Sequence, residues 1–139
     1  MTRMRARMRA DDGAFLPMVA VVLVALFAMV GMSVDGGGKM RAQIHADNIA
    51  AEAARAGGQA IDVAKAVAGT ADVVDPAKAE AAAQAYLRVA GVKGTAHVLP
   101  NHREITVTVQ INYQTKFLNL IDMNSFPVVG TATAELVTQ

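Results

Sequence analysis

The longest pattern in the chain is an uncharged apolar run near its N-terminus, from Ala14 to Val34. As an α-helix this run would extend about 31 Å, close to the bilayer hydrocarbon thickness of about 30 Å. A cleaved signal peptide has a shorter apolar region, followed by a small-residue cleavage site. The residues from Ser33 to Gly38 match such a site poorly. The run therefore predicts a transmembrane helix over residues 14–34.

A second helical pattern follows the apolar run. Residues 35–38 contain three consecutive glycines, each of which costs a helix about 1 kcal/mol relative to alanine. They predict a hinge or a locally unwound stretch, and a simple juxtamembrane linker is the alternative. From about residue 39 to 68, small apolar residues recur at spacings of three and four, which predicts a helix with an alanine face. The face comprises Ala42, Ala46, Ile49, Ala50, Ala53, Ala56, Ala60, Ile61, Ala64 and Val67. Small side chains permit close helix contacts, either within the subunit or between subunits.

A shorter helix is predicted from about residue 76 to 90. Asp75 is a favourable capping residue, and Pro76 occupies the first turn, where a missing N–H has no consequence. Gly91 is expected to end this helix. The residues expected on the buried face of this helix are Ala79, Ala83, Tyr86, Leu87 and Ala90.

The periodicity changes to two after Gly94. Apolar residues from Ile105 to Tyr113 alternate with threonine, glutamine and asparagine, which predicts a strand with one buried face. Shorter apolar stretches on either side predict two more strands, and the three have approximate bounds of 95–99, 104–114 and 128–137. Two helices packed on one face of a small antiparallel sheet would bury these patterns, so we expect an α+β fold behind the membrane helix.

The segment between the last two strands is unusually apolar. Its large side chains include Phe117, Leu118, Leu120, Ile121 and Phe126. Two interpretations remain open: some of these residues contact a partner, or they fold under the small sheet and cap it.

Charge suggests an orientation for the chain. Before the apolar run stand four arginines, and after it only Lys39 and Arg41 are close. This bias predicts a cytoplasmic N-terminus and an extracytoplasmic C-terminal part. The expected organisation is therefore a basic leader (1–13), a transmembrane helix (14–34), a glycine hinge (35–38) and an extracytoplasmic α+β domain (39–139).

The sequence offers little catalytic chemistry. Ser33 and Ser125 lie outside any nucleophile-elbow motif. The histidines His45, His97 and His102 fall on different predicted elements without metal-ligand spacing, and cysteine is absent. Acidic and basic residues nearly balance after the apolar run, so no basic patch predicts nucleic-acid binding. We expect no catalytic, metal or cofactor site.

An ordered set of short segments resembles the TadE/TadG-like family, pilin-related proteins of tight-adherence (Flp-type) pilus assembly, in its actinobacterial form. The segments are Asp12–Phe15, Val34–Gly37, Gln43–Gly57, Ala85–Leu87, Ile105–Val109, Lys116–Ile121 and Gly130–Ala134. Together they cover most of the chain in order.

The resemblance implies a pilin- or pseudopilin-like fold, a processing step and a packing mode. A prepilin-type peptidase would cut after Gly13, so that Ala14 begins the apolar helix. Pilins proper usually carry glutamate at the fifth position after the cut, and here that position is Met18. Subunits of such assemblies pack their helices together, and the residues expected in these contacts are Phe15, Val19, Val22, Leu26, Ala42, Ala46, Ile49 and Ala53.

The leading hypothesis is a non-enzymatic structural subunit, a minor pilin- or pseudopilin-like component of a tight-adherence pilus or a related secretion assembly. Its expected partners are the lipid bilayer, other pilin-like subunits and the assembly machinery. Its expected location is the cell membrane, as a single-pass protein, or the cell exterior within a pilus. The alternative hypothesis is an uncleaved membrane anchor whose outer domain binds a ligand or a cell-wall component.

Overall fold

The structure, a computed structural model, describes residues 4–60 and 75–136, with side chains from residue 15 onward. This part of the chain contains two α-helices, one short 3-10 helix and three strands. In chain order they are α1 (Met4–Gly58), α2 (Pro76–Val89), β1 (Lys93–Val98), β2 (Glu104–Gln114), the 3-10 helix (Leu118–Ile121) and β3 (Ser125–Glu135). The predicted α+β class is confirmed. The predicted helical residues 61–68 and the last predicted strand residue, Val137, lie outside the described residues.

The first helix does not break where the glycines predict a hinge. α1 continues without interruption through residues 35–38, so the expected interruption is wrong. Ending a helix here would leave backbone N–H and C=O groups unpaired, and restarting it would need a new and unfavourable nucleus. The glycine at position 38 also has a packing role, because a Cβ atom there would overlap the hydroxyl end of Tyr113.

The chain forms two compact units. One, here called the helix–loop unit, comprises Met1–Gly37 and Thr115–Asn124. The other, here called the sheet unit, comprises Gly38–Gln114 and Ser125–Gln139. The first part of α1 therefore belongs to the helix–loop unit, and the remainder belongs to the sheet unit.

The sheet unit is built on an antiparallel sheet with strand order β1-β2-β3. Alternate residues in the first half of β2, Ile105, Val107 and Val109, are buried, because a strand places successive side chains on opposite faces. Val107 pairs with Ala96 of β1 and Ala132 of β3, so a branched side chain lies between two small ones. The core of this unit consists of Ala46, Ala50, Ala53, Ala54, Ala79, Ala83, Leu87, Ala96, Ile105, Val107, Val109, Val128 and Leu136.

Alanine and glycine let the helices lie very close to the sheet. Ala46, Ala50 and Ala53 of α1 are fully buried in this core. At Gly130 of β3 a Cβ atom would overlap the backbone of Ala46, so only glycine fits between strand and helix. The alanine face of α1 therefore packs within the subunit at Ala46, Ala50 and Ala53.

The second helix follows its sequence signals. The Asp75 side chain accepts a hydrogen bond from the backbone nitrogen of Ala77 at 3.0 Å, and Pro76 begins the helix. Its buried residues are Ala79, Ala83 and Leu87. Tyr86 and Ala90, expected on the same face, are exposed. Tyr86 lies beside the buried stripe of α2, and Ala90 follows the last residue of the helix, Val89.

Both outer edges of the sheet carry side-chain hydrogen bonds from a helix. Glu80 of α2 accepts from the backbone nitrogen of Val98 on β1 at 2.9 Å. On β3, Gln43 of α1 donates to the carbonyl of Val129 at 2.7 Å, and Asp47 accepts from the nitrogen of Thr131 at 3.3 Å. Edge groups satisfied in this way are less available to pair with a foreign strand.

Candidate functional site

The apolar part of α1 carries its large side chains outward. From Phe15 to Val34, the exposed fractions of these side chains range from 38% at Val19 to 75% at Leu16. The segment is apolar around its whole circumference, which is typical of a helix surrounded by lipid or by other helices. The hydroxyl of Ser33 donates to the carbonyl of Met29 at 2.9 Å, so it is satisfied within the helix. By length and composition, this helix is able to cross a membrane.

A single buried carboxylate ends this apolar surface. Asp35 is only 3% exposed, and its two oxygens accept hydrogen bonds from three consecutive backbone nitrogens. The distances are 2.7 Å from Lys116, 3.0 Å from Phe117 and 2.7 Å from Leu118. These N–H groups stand at the start of the 3-10 helix, where a helix leaves its first donors unpaired and attracts negative charge. Asp35 therefore fastens the loop of residues 115–124 to α1.

Gly31, one helical turn earlier, provides the space beside this carboxylate. A Cβ atom on Gly31 would lie 3.0 Å from the Cβ of Phe117, closer than ordinary van der Waals contact. Residues four apart share one face of a helix. Gly31 and Asp35 thus form one docking surface. The Phe117 side chain packs against the glycine, and the neighbouring backbone N–H groups donate hydrogen bonds to the aspartate.

The docked loop is closed by its own hydrogen bonds. The backbone nitrogen of Thr115 donates to the carbonyl of Asn124 at 3.1 Å, and the Thr115 hydroxyl donates to the carbonyl of Met123 at 2.5 Å. The nitrogen of Met123 donates to the carbonyl of Leu118 at 3.1 Å. Asp122, with φ 65°, ends the 3-10 helix in the left-handed conformation. The loop is consequently a compact element with a defined conformation.

The tip of this loop is apolar and exposed. Leu120 is 82% exposed, Ile121 is 65% exposed and Met123 is also exposed. Both side chains are thus solvent-accessible within the helix–loop unit. The short 3-10 helix that carries these two side chains buries none of its residues. The backbone hydrogen bonds of the loop hold it in this conformation.

The structure separates the five residues of the predicted partner loop. Phe117, Leu118, Leu120 and Ile121 belong to the helix–loop unit, whereas Phe126 lies on β3 in the sheet unit. The Phe126 ring is half-buried, with the ammonium nitrogen of Lys39 5.5 Å from its centroid, a cation–π distance.

The predicted packing residues also divide into two groups. Phe15, Val19, Val22 and Leu26 are exposed on the apolar part of α1. The other four, Ala42, Ala46, Ile49 and Ala53, are buried or half-buried in the core of the sheet unit. Gly13 and Ala14 lie within α1 by their backbone.

Sequence reasoning did not identify Gly31 and Asp35 as a docking pair. The available signal was their spacing: a glycine and the first acidic residue after the uncharged run stand four positions apart. Nothing local indicates the partner, because Asp35 binds backbone groups some eighty residues later in the chain. Within the described residues, the acidic and histidine side chains form no group of three able to hold a metal ion.

Comparison with known proteins identifies the N-terminal part of the chain. Residues 13–60 match the family model described as putative Flp pilus-assembly TadE/G-like. Searches of curated proteins and of solved structures gave no match. The matched segment contains the exposed apolar helix, the Gly31–Asp35 pair and the alanine face up to Ala60, and the match confirms the family resemblance. Over these residues the chain is similar to the TadE/G-like proteins of Flp pilus assembly.

Proposed function

We propose that this protein is a non-enzymatic structural subunit, a minor pilin- or pseudopilin-like component of a tight-adherence pilus or related secretion assembly. The observation that carries the proposal is the contrast along α1. Its residues 15–34 expose apolar side chains all round, whereas Ala46, Ala50, Ala53 and Ala54 of the same helix are buried in the subunit's own core. One end of the helix is already packed, and the other requires lipid or neighbouring helices.

In the proposed mechanism, the apolar part of α1 first holds the subunit in the bilayer. Its N-terminus is cytoplasmic, and the sheet unit lies outside the membrane. In an assembly, the lipid contacts of this helix are replaced by contacts with the equivalent helices of other pilin-like subunits. The exposed residues that make these contacts are Phe15, Val19, Val22 and Leu26. The folded sheet unit then presents its surface, and no chemical step is needed.

Processing by a prepilin-type peptidase forms part of this proposal. A cut between Gly13 and Ala14 would remove the basic leader and leave Ala14 as the first residue of the apolar helix. Since Met18 occupies the fifth position after the cut, no intramembrane carboxylate pairs with the new terminal amine of a neighbouring subunit. Such a subunit would join by apolar packing alone, which favours a minor position in the assembly.

Cysteine cross-linking in cells tests the proposal. The chain contains no cysteine, so Val22→Cys or Leu26→Cys introduces a single thiol on the exposed helix. In cells that express the whole assembly, oxidation should link this thiol to a neighbour with a cysteine at the equivalent position. The control is Val89→Cys, an apolar residue that is 90% exposed on α2. Failure of both helix variants to cross-link, in membranes and in sheared surface material, would contradict the proposal.

Met18 favours a second candidate function. An uncleaved single-pass anchor with an outer domain that binds a ligand or a cell-wall component needs neither the leader cut nor the glutamate. This alternative predicts an intact chain that never co-purifies with pilin-like subunits. The mass of the mature protein and its co-purifying partners distinguish the two functions.

A further inference from the structure

The docked loop has a defined position along the apolar helix. Gly31 and Asp35, which hold it, are four residues apart, or about 6 Å along the helix axis. Asp35 is the first charged residue after the uncharged run. If the run spans the bilayer, this stretch of α1 lies where the hydrocarbon ends and the polar layer begins. That layer is about 5–8 Å thick on each side.

The composition of the loop fits this location. Leu120, Ile121 and Met123 expose apolar side chains, and Lys116, at the base of the loop, is exposed and basic. A long basic side chain beside apolar residues suits the boundary between acyl chains and headgroups. The carboxylate nearest to the tip, that of Asp122, accepts a hydrogen bond from the side chain of Asn124 at 3.2 Å.

We propose that loop 115–124 is a second membrane contact, with the side chains of Leu120 and Ile121 inserted into the interfacial layer of the outer leaflet. The proposal rests on the proposed membrane anchorage of α1. Its committed partner is a lipid surface, because the apolar tip belongs to the same compact unit as the apolar helix.

This contact would add a rotational constraint to the anchor. A single apolar helix turns freely about its own axis in a bilayer, since lipid contacts it equally on all sides. A loop fastened to one helix face by Asp35 and Gly31, with its tip in the interface, selects one rotation. Interfacial anchors of this kind set the tilt and rotation of membrane helices.

The experiment is quenching of a fluorophore in reconstituted vesicles. The full chain with Leu120→Cys carries an environment-sensitive dye and is reconstituted into phosphatidylcholine vesicles with nitroxide groups at the headgroup or along the acyl chain. The proposal expects blue-shifted emission and stronger quenching by shallow acyl nitroxides than by a water-soluble quencher. Val89→Cys, an exposed apolar residue of the sheet unit, is the matched control and should respond mainly to the aqueous quencher.

A third variant, Leu26→Cys, separates this proposal from the anchorage on which it rests. If the dye at residue 26 is quenched from deep in the bilayer while the dye at residue 120 is quenched only from water, the loop proposal is overturned and anchorage stands. A dye at residue 120 that is shielded from both lipid and water quenchers would instead indicate a protein neighbour and would also overturn it. A dye at residue 26 that is exposed to water would refute the anchorage.

Discussion

The carboxylate of Asp35 accepts a hydrogen bond from the backbone nitrogen of Leu118 at 2.7 Å, across 83 positions of sequence. This contact ties the end of the apolar helix to the connection between β2 and β3. A carboxylate that is 3% exposed has lost most of its water, and the three N–H donors replace it. The central structural claim is that Asp35 and Gly31 fix loop 115–124 on α1.

Replacement of Asp35 by asparagine should loosen the loop. The asparagine amide keeps the shape of the aspartate side chain but loses its negative charge. Its NH₂ group cannot accept a hydrogen bond from the backbone N–H group that it would face. Hydrogen bonds to a charged group contribute about 1.5–3 kcal/mol each, so the free energy of loop opening should fall by at least about 1.5 kcal/mol. Faster hydrogen exchange at the amides of residues 116–118 would measure this loss.

Asp122→Asn is the matched control for that variant. Asp122 is exposed in the same loop, and asparagine tolerates its left-handed backbone conformation. Exchange at residues 116–118 should be unchanged. Equal exchange in Asp35→Asn and the parent protein would mean that the carboxylate does not hold the loop.

Replacement of Gly31 by leucine should displace Phe117. A side chain at position 31 has too little space even for its first carbon, because a Cβ atom there would lie 3.0 Å from the Cβ of Phe117. Overpacking of this kind costs about 1–3 kcal/mol. Exchange across the loop should therefore accelerate, whereas Gly36→Leu should leave it unchanged, because a Cβ at position 36 has no atom within 4 Å apart from its own stretch of helix. Identical behaviour of the two variants would refute the Gly31–Phe117 contact.

Replacement of Gly130 by alanine should destabilise the sheet unit. The added methyl group would meet the backbone of Ala46, which cannot move aside as a flexible side chain can. A loss of about 1–3 kcal/mol is expected, visible as a lower midpoint in thermal unfolding followed by circular dichroism. Gly58→Ala is the control, since its Cβ would lie at an ordinary 3.5 Å from the nearest atom, the carbonyl oxygen of Glu135.

The alanine face of α1 gives a related test. Ala53→Leu should destabilise the sheet unit by about 1–3 kcal/mol, since Ala53 is fully buried in its core. Ala85→Leu, an exposed position on α2, should unfold like the parent protein in denaturant. A stable Ala53→Leu protein would show that this face of α1 does not pack on the sheet.

Processing is tested by replacing Gly13 with a bulky residue. If a peptidase cuts after Gly13, tryptophan at this position should block the cut and leave the leader attached. Mass spectrometry of the membrane-extracted protein should then show residues 1–13 in the variant and not in the parent. Intact parent protein would contradict processing and favour the uncleaved anchor.

The elements with strong local periodicity were predictable from sequence. The alternation from Ile105 to Tyr113 predicted a half-buried strand, and β2 buries Ile105, Val107 and Val109 on one face. Asp75 and Pro76 likewise marked the start of α2. In these cases, the periodicity or capping chemistry is contained within a few consecutive residues.

The remaining features depended on contacts that local sequence does not encode. The glycines at 36–38 stay helical because each lies inside a cooperative helix, an effect that single-residue propensity omits. Asp35 binds backbone amides, which every residue except proline carries, so the sequence does not indicate which amides it binds. The exposure of Leu120 follows from that docking, so local sequence does not determine it either.

Alkaline extraction of membranes from cells expressing the native protein tests the central functional claim most directly. If the apolar helix anchors the subunit, a chain containing residues 15–34 should remain in the membrane pellet at high pH, or appear in sheared surface filaments. Recovery only of a soluble, monomeric fragment that lacks those residues would contradict the account.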